Sequence, residues 1–344
     1  MKRRHCLWIA AVLVMLAGCS SNDSATKPWV DDEVRFDADG LTIHGTYHHR
    51  AGGAAAPAAL LISESGQTDR NGDNAVAGKV GTMRALAALL SDRGIASLRY
   101  DKVGTGATGL GPYAAHPADV GSAVYTSGAK AAVRFLAGQA GTDKDHISVY
   151  ALGEGTVHAM SLADDTSAGA PKIHSLGLLQ PLYARYLDMI TSRVRSDVDG
   201  QVKAGRQTPE QGDQVVAAWT AAVGQARSDG TAPAELPNGL GAILNSKNVK
   251  AVLEADTIDP PALAARIPAA TPVLLTCSDS DAQASCQAVQ PLADALKQTQ
   301  LEFVQLNGVS HVLKDDPTDN IVNYAKDQPL SPQLVSALDK FAST

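Results

Sequence analysis

The sequence predicts an α/β fold: a mostly parallel sheet of eight strands with helices on both faces. Three observations predict it. Short, continuous apolar runs such as "AALLISE", "HISVYAL" and "TPVLLTC" read as strands buried on both sides, the habit of parallel sheets. Other stretches carry apolar residues at helical spacing. The two textures alternate along most of the 344 residues, the order of a parallel sheet wrapped by helices.

Each element follows in chain order. "VRFDADGLTIHGTYHHR" alternates around Asp39-Gly40 and predicts a β-hairpin. "AALLISE" is the first buried strand. "GTMRALAALLSDRGI" places Met83, Leu86, Leu89 and Leu90 at helical spacing and stops at Gly94. "IASLRYD" is a strand, and "DVGSAVYTSGAKAAVRFLAGQ" is helical despite internal glycines. "HISVYAL" and "KIHSLGLLQP" are strands, with a helix between them. Near Pro181 the texture changes. Residues 182–265 have no strand signal and space Leu182, Tyr186, Met189, Ile190 and Val194 as a helix, so they read as a helical insertion. Alternation then resumes with strand "TPVLLTC", helix "CQAVQPLADALKQT", strand "LEFVQL", a loop with "SHVLK", and a final helix "SPQLVSALDKFAS". The core is therefore expected at 33–181 and 266–344, with the insertion, the place of a helical cap in the family resembled below, at 182–265.

A hydrophobic fraction of 44% and a charged fraction of 19% suit a globular protein with a sizeable core. The net charge is −7, no basic stripe is present and aromatics make up 4%, so a nucleic-acid partner is not expected. At the N-terminus, "MKRRH" is basic and "CLWIAAVLVM" apolar, but the run is shorter than the ~20 residues that span a bilayer, which marks a signal peptide over residues 1–18. Its end, Leu16-Ala17-Gly18-Cys19, resembles the lipobox of bacterial lipoproteins. That resemblance implies acylation of Cys19, membrane lipid as a partner, and an exported chain anchored to the outer face of the cytoplasmic membrane or elsewhere in the cell envelope. Cleavage removes Lys2, Arg3 and Arg4 and takes the net charge from −7 to −10. Residues 19–32 are polar and read as a tether. Cys277 and Cys286 remain. In an oxidising compartment such a pair is expected as a disulfide, with two separate thiols as the alternative; no neighbouring histidine suggests zinc. No cofactor and no metal are expected.

The chemistry centres on Ala151-Leu152-Gly153-Glu154-Gly155, a turn between a strand and a helix with small residues at its flanks. A nucleophile elbow has this form, small-x-nucleophile-x-small, because the turn is too tight for bulk. Alone the frame is weak. Its neighbours strengthen it: "LLISESGQTDRNGD" (60–73), "GIASLRYDKVGTGAT" (94–108), "PVLLTCSDSDAQAS" (272–285) and "SHVLK" (310–314). These motifs, in this order, resemble the α/β-hydrolase superfamily, and within it a bacterial serine aminopeptidase-like or esterase-like group whose corresponding segments read "LLVHGSGPxDRDG", "GIAVLRYDKRGVGKS", "PVLIVQGDRDIQVS" and "NHVLK". The likeness spans nearly all of the mature chain, cap included.

Carried over residue by residue, the resemblance implies Asp281 as the catalytic acid and His311 as the base, in the order nucleophile, acid, histidine. The acid would orient the imidazole, which would serve as general base and then general acid. The nucleophile position falls on Gly153, which has no hydroxyl. A second departure lies in the oxyanion stretch. The family's His-Gly is replaced by Ser63 and Glu64, followed by Ser65 and Gly66. A carboxylate there opposes a developing oxyanion. Loss of the nucleophile alone costs about 10⁶ in kcat in subtilisin. The expectation is thus a lipid-anchored envelope protein whose hydrolase-derived pocket binds a small acyl-type ligand or an envelope partner without turnover. The alternatives are a carboxylic ester or acyl hydrolase working through water activated by His311 and Asp281, or through a relocated Ser63 or Ser65, and a cofactor-free dyad enzyme of another chemistry.

Other candidates are weaker. His44, His48 and His49 lack a convincing further metal ligand and fit an exposed hairpin. "GTGATGLG" (104–111) lacks the ending of a phosphate-binding loop. Asp279 is the alternative to Asp281. Asp69 and Arg70 are expected to brace their loop as an ion pair. Glu154, at the start of a helix, suits the helix dipole; the resemblance implies that its N–H serves the oxyanion hole.

Overall fold

A computed structural model describes residues 28–342. The expected signal peptide, Cys19 and most of the tether lie outside the described residues. The strands are β1 (Trp29–Ala38), β2 (Leu41–Arg50), β3 (Ala56–Ile62), β4 (Ala96–Tyr100), β5 (Thr142–Gly153), β6 (Ser175–Pro181), β7 (Pro272–Ser278) and β8 (Gln300–Leu306). The helices are α1 (Thr82–Ser91), α2 (Ser122–Ala137), α3 (Gly155–Ala163), α4 (Tyr186–Lys203), α5 (Pro209–Asp229), α6 (Val249–Asp256), α7 (Pro260–Ala264), α8 (Cys286–Ala295), α9 (Ile321–Tyr324) and α10 (Pro332–Phe341). The strands form one sheet in the order β1-β2-β4-β3-β5-β6-β7-β8. β1 and β2 are antiparallel, β2 meets β4 antiparallel, and every later pairing is parallel. The expected mostly parallel eight-stranded sheet is therefore present.

Local chemistry explains the elements. Asp39 and Gly40 turn the first hairpin with φ of 52° and 84°, the left-handed pair a tight hairpin needs. All seven residues of β6 are buried, as a strand covered on both faces requires. Gly128 does not break α2. It lies against Ile43, where an added Cβ would come within 3.2 Å of Cδ1, so the glycine lets the helix sit close to β2.

One apolar cluster lies on one sheet face, joining Leu60, Leu98, Val149 and Leu176 to Val133 and Leu292 of the covering helices. On the other, Leu61, Tyr150 and Leu274 pack with Met83 and Leu338 of α1 and α10. The helices between β6 and β7 have a core of their own, built on Leu187, Val194, Trp219, Ala222 and Leu244. Trp219 Nε1 donates to Thr191 Oγ1 at 2.9 Å within it. Leu182 and Leu263 instead join the main core, which pins both ends of this insertion to the sheet.

Asp256 is the polar tie of the insertion. Its side chain is almost fully buried and accepts hydrogen bonds from the Leu187 N–H at 2.9 Å, from Arg227 at 2.8 and 3.0 Å, and from Arg185 at 3.2 Å. Cys277 and Cys286 are joined by a disulfide, which links the end of β7 to the start of α8.

Two features set the stage for the site. The chain steps from β3 to β4 on one side and then to β5 on the other, so the carboxyl ends of β3 and β5 border a topological switch point, where open α/β sheets bind ligands. Trp29 pairs with Arg50, beyond the pairing of His48 with Ser97 near the start of β4. The described chain therefore begins at the opposite end of the sheet from that switch point.

Asp256→Ala should lower stability by about 1–3 kcal/mol, since it strands the buried Leu187 N–H. Urea unfolding followed by Trp219 fluorescence checks this. A change within about 0.5 kcal/mol, the range of an ordinary surface substitution, would rule out the tie.

Candidate functional site

Gly153 ends β5 with φ +56°, the left-handed backbone of a nucleophile elbow. Gly155 is required by the neighbouring strand: a Cβ there would lie 2.8 Å from the carbonyl oxygens of Ile62 and Ser63. The elbow is thus pressed against the end of β3, and this contact brings Glu64 to Gly153. A Cβ built on Gly153 would sit 3.3 Å from Glu64 Cβ and 3.4 Å from His311 Nε2.

His311 lies in the loop after β8, and Asp281 in the loop after β7 closed by the disulfide. Asp281 Oδ2 meets His311 Nδ1 at 2.8 Å. Its other oxygen accepts the N–H groups of Gln283 at 2.7 Å and Ala284 at 3.1 Å. The structure thus brings Gly153, Asp281, His311 and Glu64 together. Asp279 is elsewhere, exposed and accepting from the Gly308 N–H at 2.8 Å.

The position where a serine hydroxyl would face the histidine is taken by a carboxylate. Glu64 Oε2 lies 3.3 Å from His311 Nε2. His311 therefore has a carboxylate on each ring nitrogen. Burial opposes its charge, but Asp281 and Glu64 together outweigh burial and hold its pKa well above the ordinary histidine range. An imidazolium bound on both nitrogens has no lone pair to accept a proton, so it cannot act as a general base.

Lys102, just after β4, adds the balancing charge. Its buried Nζ donates to the Glu64 carbonyl and lies 5.5 Å from the centre of the Tyr125 ring. Burial lowers its pKa, with Glu154 and Glu64 opposing. Glu154 stands at the N-terminus of α3, and its carboxyl makes no capping hydrogen bond there. Burial raises its pKa, with Lys102 opposing.

The two serines differ. Ser63 is buried and donates to the Thr68 carbonyl at 3.1 Å, which turns it away from the site. Ser65 is exposed, with Gly66 following at φ +68°. Asp69 and Arg70 do not pair with each other, which corrects the expected brace. Asp69 accepts from the N–H groups of Asn71 and Asp73, closing its own turn. Arg70 instead reaches across to Asp101 at 3.0 Å and Glu33 at 2.6 Å. The hairpin histidines pair with carboxylates, His48 with Asp31 and His49 with Asp32, each at 2.8 Å.

Two residues of the site escaped the sequence reading. Asp319 accepts the His311 N–H at 2.8 Å, the Tyr324 hydroxyl at 2.6 Å and the Ala282 N–H at 3.3 Å, tying the histidine loop to the acid loop. Lys102 stands in the quoted "RYDKVG" motif without a role there. A recess of about 40 Å³ reaches Gly153, Glu154 and His311. Beside it lies a cleft of about 560 Å³, and Ser65, Tyr186, Met189 and Gln283 line both.

Glu64→Gln removes one carboxylate, so the His311 pKa should fall, as ring nitrogen shifts in NMR titrations would report. The same group gives a pH-dependent stability. With its folded pKa raised, its contribution is full below the unfolded value of about 6.5 and is lost as pH rises through the folded value. In the variant that loss should still begin near the unfolded value but end at lower pH, and the total should be smaller. An unchanged titration would rule out Glu64 as the partner.

By sequence, the chain matches no protein-family model and no curated protein. By structure, it is similar to the Pyrococcus furiosus esterase Pf2001, with a TM-score of 0.54 at 13% identity, covering 92% of this chain and 91% of that one. It is similar to Est1E from Butyrivibrio proteoclasticus, with a TM-score of 0.53 at 16% identity, covering 90% and 97%. A dienelactone hydrolase-like promiscuous phosphotriesterase from metagenomic libraries aligns at TM-score 0.51 and 12% identity, covering 92% and 98%. At these identities the likeness speaks to architecture. Together with the strand order and the elbow, it establishes that this chain has the α/β-hydrolase fold.

Proposed function

We propose that this protein is an exported, lipid-anchored component of the cell envelope that binds a ligand through its hydrolase-derived site without turning it over. The observation that carries the proposal is the contact of Glu64 with His311, 3.3 Å apart, where acyl transfer needs a hydroxyl. Three requirements of that chemistry fail together. Gly153 supplies no nucleophile. The histidine, paired on both nitrogens, takes no proton. A carboxylate beside the elbow repels the negative charge that an oxyanion hole must stabilise. Two of the alternatives fare poorly on the same geometry: water activation needs a neutral His311, and Ser63 is committed to the Thr68 carbonyl. Ser65, which lines the recess, is the serine that the labelling below tests. The lipid anchor rests on Leu16-Ala17-Gly18-Cys19.

The mature protein should leave short-chain nitrophenyl esters intact and no serine should label with a fluorophosphonate probe. Labelling at any serine would sink the binding reading. Gly153→Ser alone should raise hydrolysis by less than about tenfold, because Glu64 still repels the oxyanion, a penalty comparable to losing one oxyanion donor (about 10²–10³). Adding Glu64→Gly should raise it further; strong hydrolysis by the single variant would overturn the argument from Glu64. Cys19→Ser should release the protein from membranes on fractionation, and continued membrane retention would count against acylation.

A further inference from the structure

We infer that the cleft beside the recess binds a small organic anion with an apolar or aromatic body, its head held by Arg193. The inference rests on the binding reading above and names the ligand class for that site.

The cleft volume of about 560 Å³ suits a ligand of modest size, since small-molecule sites usually span about 300–1,000 Å³. One wall comes from α4, where Tyr186, Met189 and Arg193 recur at helical spacing and so share a face. The opposite wall is the disulfide-closed loop with Gln283 and Ser285. The body of a ligand would therefore meet a tyrosine and a methionine on one side and amide and hydroxyl groups on the other.

Arg193 supplies the charge. Its guanidinium makes no ion pair or hydrogen bond with any described residue, while Asp188 on the same helix is committed to Arg227 at 2.7 Å. A guanidinium of this kind matches a carboxylate or phosphate, both of which it can grip with two parallel hydrogen bonds. The deep end differs. His311 there is already flanked by Asp281 and Glu64, and Lys102 lies near Glu64 and Glu154, so its cations are matched. An anionic head therefore finds its unmatched partner at Arg193, which fixes the ligand's direction. The recess, about 40 Å³, is far smaller than the cleft, so the body of the ligand sits in the cleft.

Isothermal titration calorimetry on the full mature chain tests this with three probes: 3-phenylpropanoate, its methyl ester and phenyl phosphate. At least one anion should bind about tenfold more tightly than the ester, the scale of one charge-assisted contact at an exposed site. Arg193→Ala should abolish that difference, and Arg193→Lys, which keeps the charge, should restore part of it. Arg193 is exposed, so both variants should fold, and circular dichroism verifies that they do. The tighter of the two anions identifies the head group. Equal binding of ester and anions, undiminished anion binding by Arg193→Ala, or no heat with any probe from the native chain would each overturn the inference. Methanol released from the ester would overturn the binding reading alone and leave the Arg193 site standing, because it reports turnover rather than head-group selection.

Discussion

An imidazolium held between two carboxylates is the constraint on which the site depends. Asp281 and Glu64 flank His311, and such a set has net negative charge in a buried place. Burying ions costs several kcal/mol each unless partners repay it. Lys102 offsets part of that charge: its Nζ donates to the Glu64 backbone carbonyl and attracts the carboxylates of Glu154 and Glu64. The loops after β3, β4, β7 and β8 each contribute one member. Parallel packing brings these loops to one edge, and the charges then hold them in a single arrangement. Both ring nitrogens of His311 face carboxylates, which favours its charged form.

Much of this was legible in the sequence because it follows from short-range chemistry. Continuous apolar runs identified the buried strands, and Gly153 and Gly155 identified a turn too tight for side chains. Asp281 and His311 could be named because "SDSD" and "SHVLK" resemble segments with those residues in fixed places, and the geometry brings the two together. The disulfide needed a compartment argument, and the two sulfurs do meet.

What was not legible depends on long-range approach. Arg70 follows Asp69 in sequence, yet its guanidinium spans to Glu33 and Asp101, which become neighbours when β1, β2 and β4 pair. Asp319 lies in "DDPTDN", a polar segment like any loop, and its role appears once Tyr324 and the His311 backbone converge on it. Glu64 could be suspected of opposing an oxyanion from its place after β3. Its contact with His311 could not be foreseen, because that depends on the missing side chain at Gly153 leaving room for a longer one from the next strand.

Trp29 enters the sheet at the end where β4 begins, whereas the elbow, the histidine and the cap gather where the parallel strands finish. The molecule thus has two poles. Under the proposed anchoring, the attachment would approach the pole opposite the elbow, and the cleft would lie on the far side. Molecules could then reach Arg193 directly, without first passing between the protein and its support.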